Sequence, residues 1–71
     1  MRELAQAFLA QGKTVRAAAL MLKLIKREPT PENLELLAEI YMRQGLHDDA
    51  AVLYLQVVKM RLKIERLRGE A

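Results

Sequence analysis

The chain has 71 residues, no cysteine, one histidine and a net charge of +3. A chain this short makes one domain at most, with a core that contributes only about 3–5 kcal/mol unaided, and neither a disulfide framework nor a thiolate metal site can staple it. The charge is unevenly placed: residues 1–58 hold seven basic and seven acidic side chains, so the whole excess lies in Lys59–Ala71.

Apolar residues recur at spacings of three and four, the helical period, and no alternating run bounded by turn residues supports a strand. An all-α fold of four helices is expected. The first, Arg2–Gln11, sets Leu4, Ala5, Phe8 and Leu9 on one face before Gly12. The second runs from Thr14 to about Arg27 and gathers Ala17, Leu20, Met21, Leu24 and Ile25. Pro29 ends it, because proline lacks the amide donor that a continuing helix needs.

The third helix has a defined start. Thr30 can cap, Pro31 suits the first helical position, and Glu32 complements the positive helix end. It carries Leu34, Leu37, Ala38 and Tyr41 towards Gly45, which is suited to a left-handed helix stop. The fourth begins near His47 with Asp48 and Asp49 in its first turn, and nothing interrupts it before Gly69. From Asp48 to Arg68 it would measure roughly 31 Å.

The two halves align with each other at a shift of 33 residues: Leu4 falls on Leu37, Ala5 on Ala38, Phe8 on Tyr41, Gly12 on Gly45, Ala17 on Ala50 and Met21 on Tyr54. Self-similarity at that period marks a helical repeat array. The spacing resembles the tetratricopeptide repeat, with its Leu–small–x–x–aromatic first helix, turn glycine, alanine-anchored second helix and closing proline. The resemblance implies two stacked antiparallel hairpins, residues 1–29 and 30–62, followed by a basic helical extension over residues 59–71. The first copy lacks the residues that open the family pattern, and the second has Leu62 in place of the closing proline. The abrupt start inside a repeat and the lack of a polar cap at either end raise the expectation of a fragment of a longer array. The alternative is an unrelated four-helix or αα-hairpin domain.

Catalysis is not expected. The sequence has no glycine-rich phosphate loop, no nucleophile beside a base and no metal-ligand cluster, so no cofactor is expected either. His47 cannot form a metal site alone, and the resemblance, in which an aromatic side chain tends to stand there, implies turn packing for it. Met21, Met42 and Met60 read as core or groove filler. No stretch approaches the roughly 20 apolar residues of a membrane span, and the start does not read as a signal peptide, so a cytoplasmic location is expected.

Proteins of the resembled family are mostly scaffolds that bind a peptide or partner helix on a concave surface lined by the first helix of each hairpin. Carried over, that surface comprises Arg2, Gln6 and Leu9 from the first hairpin and Glu32, Glu35, Glu39, Met42 and Arg43 from the second. Some members clamp a terminal carboxylate there with lysines and asparagines; glutamates in those places disfavour that mode here. Such a groove prefers basic or apolar protein partners.

The last helix is apolar on more than one side, which normally means burial on more than one side. Leu53, Val57, Met60, Ile64 and Leu67 follow coiled-coil steps, but a parallel zipper would bring Arg61, Lys63 and Arg68 near their own kind. Association is expected instead through the outer faces, Leu22, Val52, Leu55 and Leu62, with Ile64 and Leu67 as further candidates. A second arrangement seats the basic tail of one copy in the acidic groove of another. The five tail cations, Lys59, Arg61, Lys63, Arg66 and Arg68, also leave nucleic-acid or anionic-membrane binding as alternatives. No aromatic residue interleaves with them for base stacking, and the amphipathic patch spans only two turns, so neither is preferred.

Overall fold

The computed structural model describes residues 1–69. Four helices follow one another: α1 (Arg2–Ala10), α2 (Thr14–Arg27), α3 (Pro31–Arg43) and α4 (His47–Gly69). There is no strand among the described residues. Each helix packs on the next: α1 on α2, α2 on α3, and α3 on α4. Two antiparallel hairpins are thus stacked through α2 and α3.

The same turn closes both hairpins. Gly12 and Gly45 have φ of +76° and +79°. After α1, the Lys13 amide donates to the Phe8 carbonyl at 2.8 Å and the Gly12 amide to Leu9 at 3.0 Å. After α3, Leu46 donates to Tyr41 at 2.9 Å and Gly45 to Met42 at 3.1 Å. These paired bonds satisfy carbonyls that a helix end would otherwise leave without partners, and the left-handed residue they require carries no steric penalty when it is glycine.

Between the hairpins, the Thr30 hydroxyl accepts from the Asn33 amide at 3.2 Å and caps α3, with Pro31 at its first position. The Asn33 side chain turns back and donates from Nδ2 to the Glu28 carbonyl at 2.9 Å. One buried side chain therefore fastens the start of α3 to the end of α2.

Small residues allow the close approach. Ala5, Ala17, Ala38 and Ala50 are fully buried, and Met21 and Ile40 are the largest side chains wholly removed from solvent. The central cluster joins Ala5 and Leu9 of α1, Ala17, Ala18 and Met21 of α2, and Leu36, Leu37 and Ile40 of α3. The buried surface of α3 is wider than the Leu34–Leu37–Ala38–Tyr41 stripe and takes in Leu36 and Ile40, because α3 is covered by both α2 and α4. Leu4, expected to share the core face, is 50% exposed, while its counterpart Leu37 is 2% exposed. The difference follows from neighbours: Leu37 has α2 of the preceding hairpin against it, and among the described residues no helix occupies that place beside α1.

At 23 residues α4 is ten residues longer than α3. The radius of gyration, 13.1 Å, exceeds the roughly 11 Å typical of a compact chain of this size, as a protruding helix requires.

Candidate interaction surface

Along one side of α3, Glu32, Glu39, Met42 and Arg43 are exposed and Glu35 is partly so. Glu39 and Arg43 pair at 3.8 Å, one helical turn apart. Across the turn, His47 Nδ1 lies 3.4 Å from Met42 Sδ. On α1, Gln6 is exposed and Arg2 partly buried. Arg2 lines an open cleft of about 520 Å³ with Arg27, Glu28 and Asn33, where α1, α2 and α3 meet. No side-chain hydrogen bond or ion pair among the described residues joins Arg2 or Gln6 to the α3 acids.

One expectation for this surface is corrected. Leu9 does not line a groove: it is 5% exposed and belongs to the central cluster. It shares that cluster with buried residues of α2, the helix on which α1 packs. Glu35 stays on the acidic face, partly exposed, but is paired. Arg61 reaches back from α4 and places Nη1 2.8 Å from Glu35 Oε2. The tail and the acidic face therefore meet within one chain.

The basic extension is divided by the helix itself. Arg61, Ile64 and Arg68 turn towards the start of α3, lining an open cleft of about 330 Å³ with Pro31 and Glu32. Lys59 and Arg66 fall on the opposite side at about 100° per residue, and both are exposed. The five cations thus form no single stripe. Of the proposed zipper seam, Val57 is buried, Leu53 and Met60 are half-buried, and Leu67 is exposed. Val57 and Leu53 pack within the molecule, so no continuous seam is open to a partner.

The outer residues Leu22, Val52, Leu55 and Leu62 are all exposed. A further apolar surface emerges when α2 and α4 are compared through the 33-residue shift. In α2, Ala18 and Met21 are 8% and 0% exposed and Ile25 is partly buried, and α3 packs against this helix. Their counterparts in α4 are Ala51, Tyr54 and Val58. All three are exposed, Tyr54 by 38% and Val58 by 52%. The downstream side of α4 is the open copy of the side of α2 that receives α3. The repeat alignment contains the signal for it, through the match of Met21 with Tyr54.

Among the described residues no group of three or more acidic or histidine side chains is arranged to hold a metal, and no helix is long and apolar enough to cross a membrane. A family model described as tetratricopeptide repeat matches residues 2–63. Neither the curated proteins nor the solved structures include a significant match.

Proposed function

This chain belongs to the tetratricopeptide repeat family, a family of protein-interaction repeats that are generally not catalytic, and on that premise we propose that it is a scaffold module which binds a helix or peptide of a partner protein. The observation that carries the reading is the uncovered downstream side of α4. Ala51, Tyr54 and Val58 offer another helix the counterparts of Ala18, Met21 and Ile25, which belong to or pack against the cluster that α2 shares with α3. A partner helix with apolar residues spaced like Leu36 and Ile40 fits that side. Exposed Glu32, and Glu39 although it pairs with Arg43 at 3.8 Å, favour a partner that is otherwise basic, since opposite charges steer encounter and like charges penalise it.

A second reading adds self-association, because Val52, Leu55 and Leu62 carry the exposed apolar surface of α4 beyond Ala51 and Val58 to its outer side. Nucleic-acid and membrane binding fit less well. Arg61 is engaged by Glu35, and Ile64 lies in the cleft beside Pro31, away from outward-facing Lys59 and Arg66.

Two synthetic helical peptides test the binding role. Both carry leucines at positions i and i+4; one has lysine and the other glutamate elsewhere. Titration of the labelled chain, followed by amide NMR shifts, should show saturable binding of the lysine peptide with shifts at Tyr54 and Val58. Val58→Glu should weaken it at least about tenfold, one apolar contact and one new buried charge being worth more than 1.4 kcal/mol. Equal affinity for the two peptides, or no shifts on α4, would contradict the reading.

A further inference from the structure

The outer strip of α4 has an order that determines how two copies would meet. Asp48 and Arg66 are 18 positions apart, about five helical turns, and so share one azimuth at opposite ends of the strip. Val52, Leu55, Lys59 and Leu62 lie between them at steps of three and four. All six are exposed, the three apolar members by 62%, 56% and 57% for Val52, Leu55 and Leu62. This side is opposite Ala50 and Val57, the α4 residues buried in the molecule.

From this arrangement we infer that two copies of the chain pair along α4 in antiparallel fashion, about a two-fold axis level with residue 57. The inference rests on the self-association reading and assigns its surface and direction. In this register Asp48 of each copy meets Arg66 of the other, Val52 meets Leu62, and the aliphatic stem of Lys59 covers Leu55 while its ammonium stays in water. Both ends then hold an ion pair, and the two helix dipoles oppose. A parallel pair would set Asp48 on Asp48, Lys59 on Lys59 and Arg66 on Arg66, with like charges at three levels.

End-to-end stacking of copies, with α1 of one on α4 of the next, is disfavoured by the upstream side of α1. Through the 33-residue shift Glu3 stands where α3 has Leu36, a residue 5% exposed under α2. Repeating that contact between copies would bury a carboxylate in an apolar site. The two-fold arrangement avoids this and closes on itself, since the same patch serves both partners.

The test is molar mass by light scattering over a concentration series of the whole chain, with helicity checked by circular dichroism. Wild type should reach the dimer mass. Asp48→Lys and Arg66→Glu each create repulsion at both ends and should raise the dimer dissociation constant about tenfold or more. An equimolar mixture of the two should recover association, because the mixed dimer has attractive pairs at both ends. Val52→Lys and Leu62→Glu make a second complementary couple away from the helix ends, for use if a change at Asp48 costs helicity. A wild type that stays monomeric at all concentrations would overturn the self-association reading together with this one. A wild-type dimer whose complementary mixtures associate no better than the single variants would overturn the antiparallel pairing alone. Masses that rise steadily beyond the dimer would establish open stacking and overturn it as well.

Discussion

Arg61 of α4 and Glu35 of α3 form a 2.8 Å ion pair that joins the basic extension to the acidic face of the preceding helix. Both side chains are about half exposed, so the pair stabilises the fold by at most about 1 kcal/mol and weakens with salt. Its effect is local. Arg61→Ala should leave the melting temperature within a few degrees of wild type while amide exchange accelerates from residue 61 to the end of α4. Unchanged exchange in that segment would show that Ile64 and Pro31 hold it without the ion pair.

The glycine turns give a sharper expectation. A Cβ at Gly45 would meet no heavy atom within 4 Å, so crowding is absent and only the backbone angle matters. With φ at +79°, Gly45→Ala should destabilise by about 1–2 kcal/mol. Gly69 is the last residue of α4 and does not have a left-handed φ, so Gly69→Ala meets no such strain and should not destabilise. Urea midpoints of the two variants, moving in opposite directions or one moving alone, check this.

Asn33 is the one buried polar residue of the described chain. Asn33→Ala removes the donor to Glu28 and should cost about 1 kcal/mol. Asn33→Asp keeps the shape but sets a carboxylate against that carbonyl, and should cost more than alanine does. Denaturation of both variants separates a hydrogen bond from simple space filling: equal losses would exclude the repulsion argument.

Ile40 is fully buried in the central cluster. Ile40→Ala should cost about 2–5 kcal/mol, comparable with the whole stability of a domain this size. The variant should lose most of its helical circular dichroism at 25 °C. Retention of a cooperative transition near the wild-type temperature would mean that another chain contributes to stability.

The helix limits were legible because their signals are local. Thr30 with Pro31, and a glycine after each first helix, act within a few residues, and Thr14–Arg27 needed only Pro29 beyond it. The repeat was legible because the same packing solution occurs twice. Helical periodicity, however, assigns an azimuth without saying which neighbour covers it. Leu9 and Leu4, which spacing puts on one face, therefore differ, the first buried and the second exposed, because coverage of α1 depends on where its neighbours lie. Leu36 and Ile40 escaped the single-stripe description of α3 for the same reason. The Glu35–Arg61 pair joins residues far apart in sequence and depends on the crossing of α3 and α4. No spacing rule within one helix reveals it. Asn33 reads as an ordinary first-turn residue until the path of Glu28 is known.

The tight connections after α1 and α3 also gear each second helix to the first. One extra residue between Gly45 and His47 would put α4 out of phase by about 100°, swinging Ala50 and Val57 away from α3. To keep them seated, α4 would have to unwind by a residue elsewhere. Evolution or design can therefore lengthen this protein at the far end of α4 far more readily than at either bend, and the usable surface is free to vary where the gearing does not act.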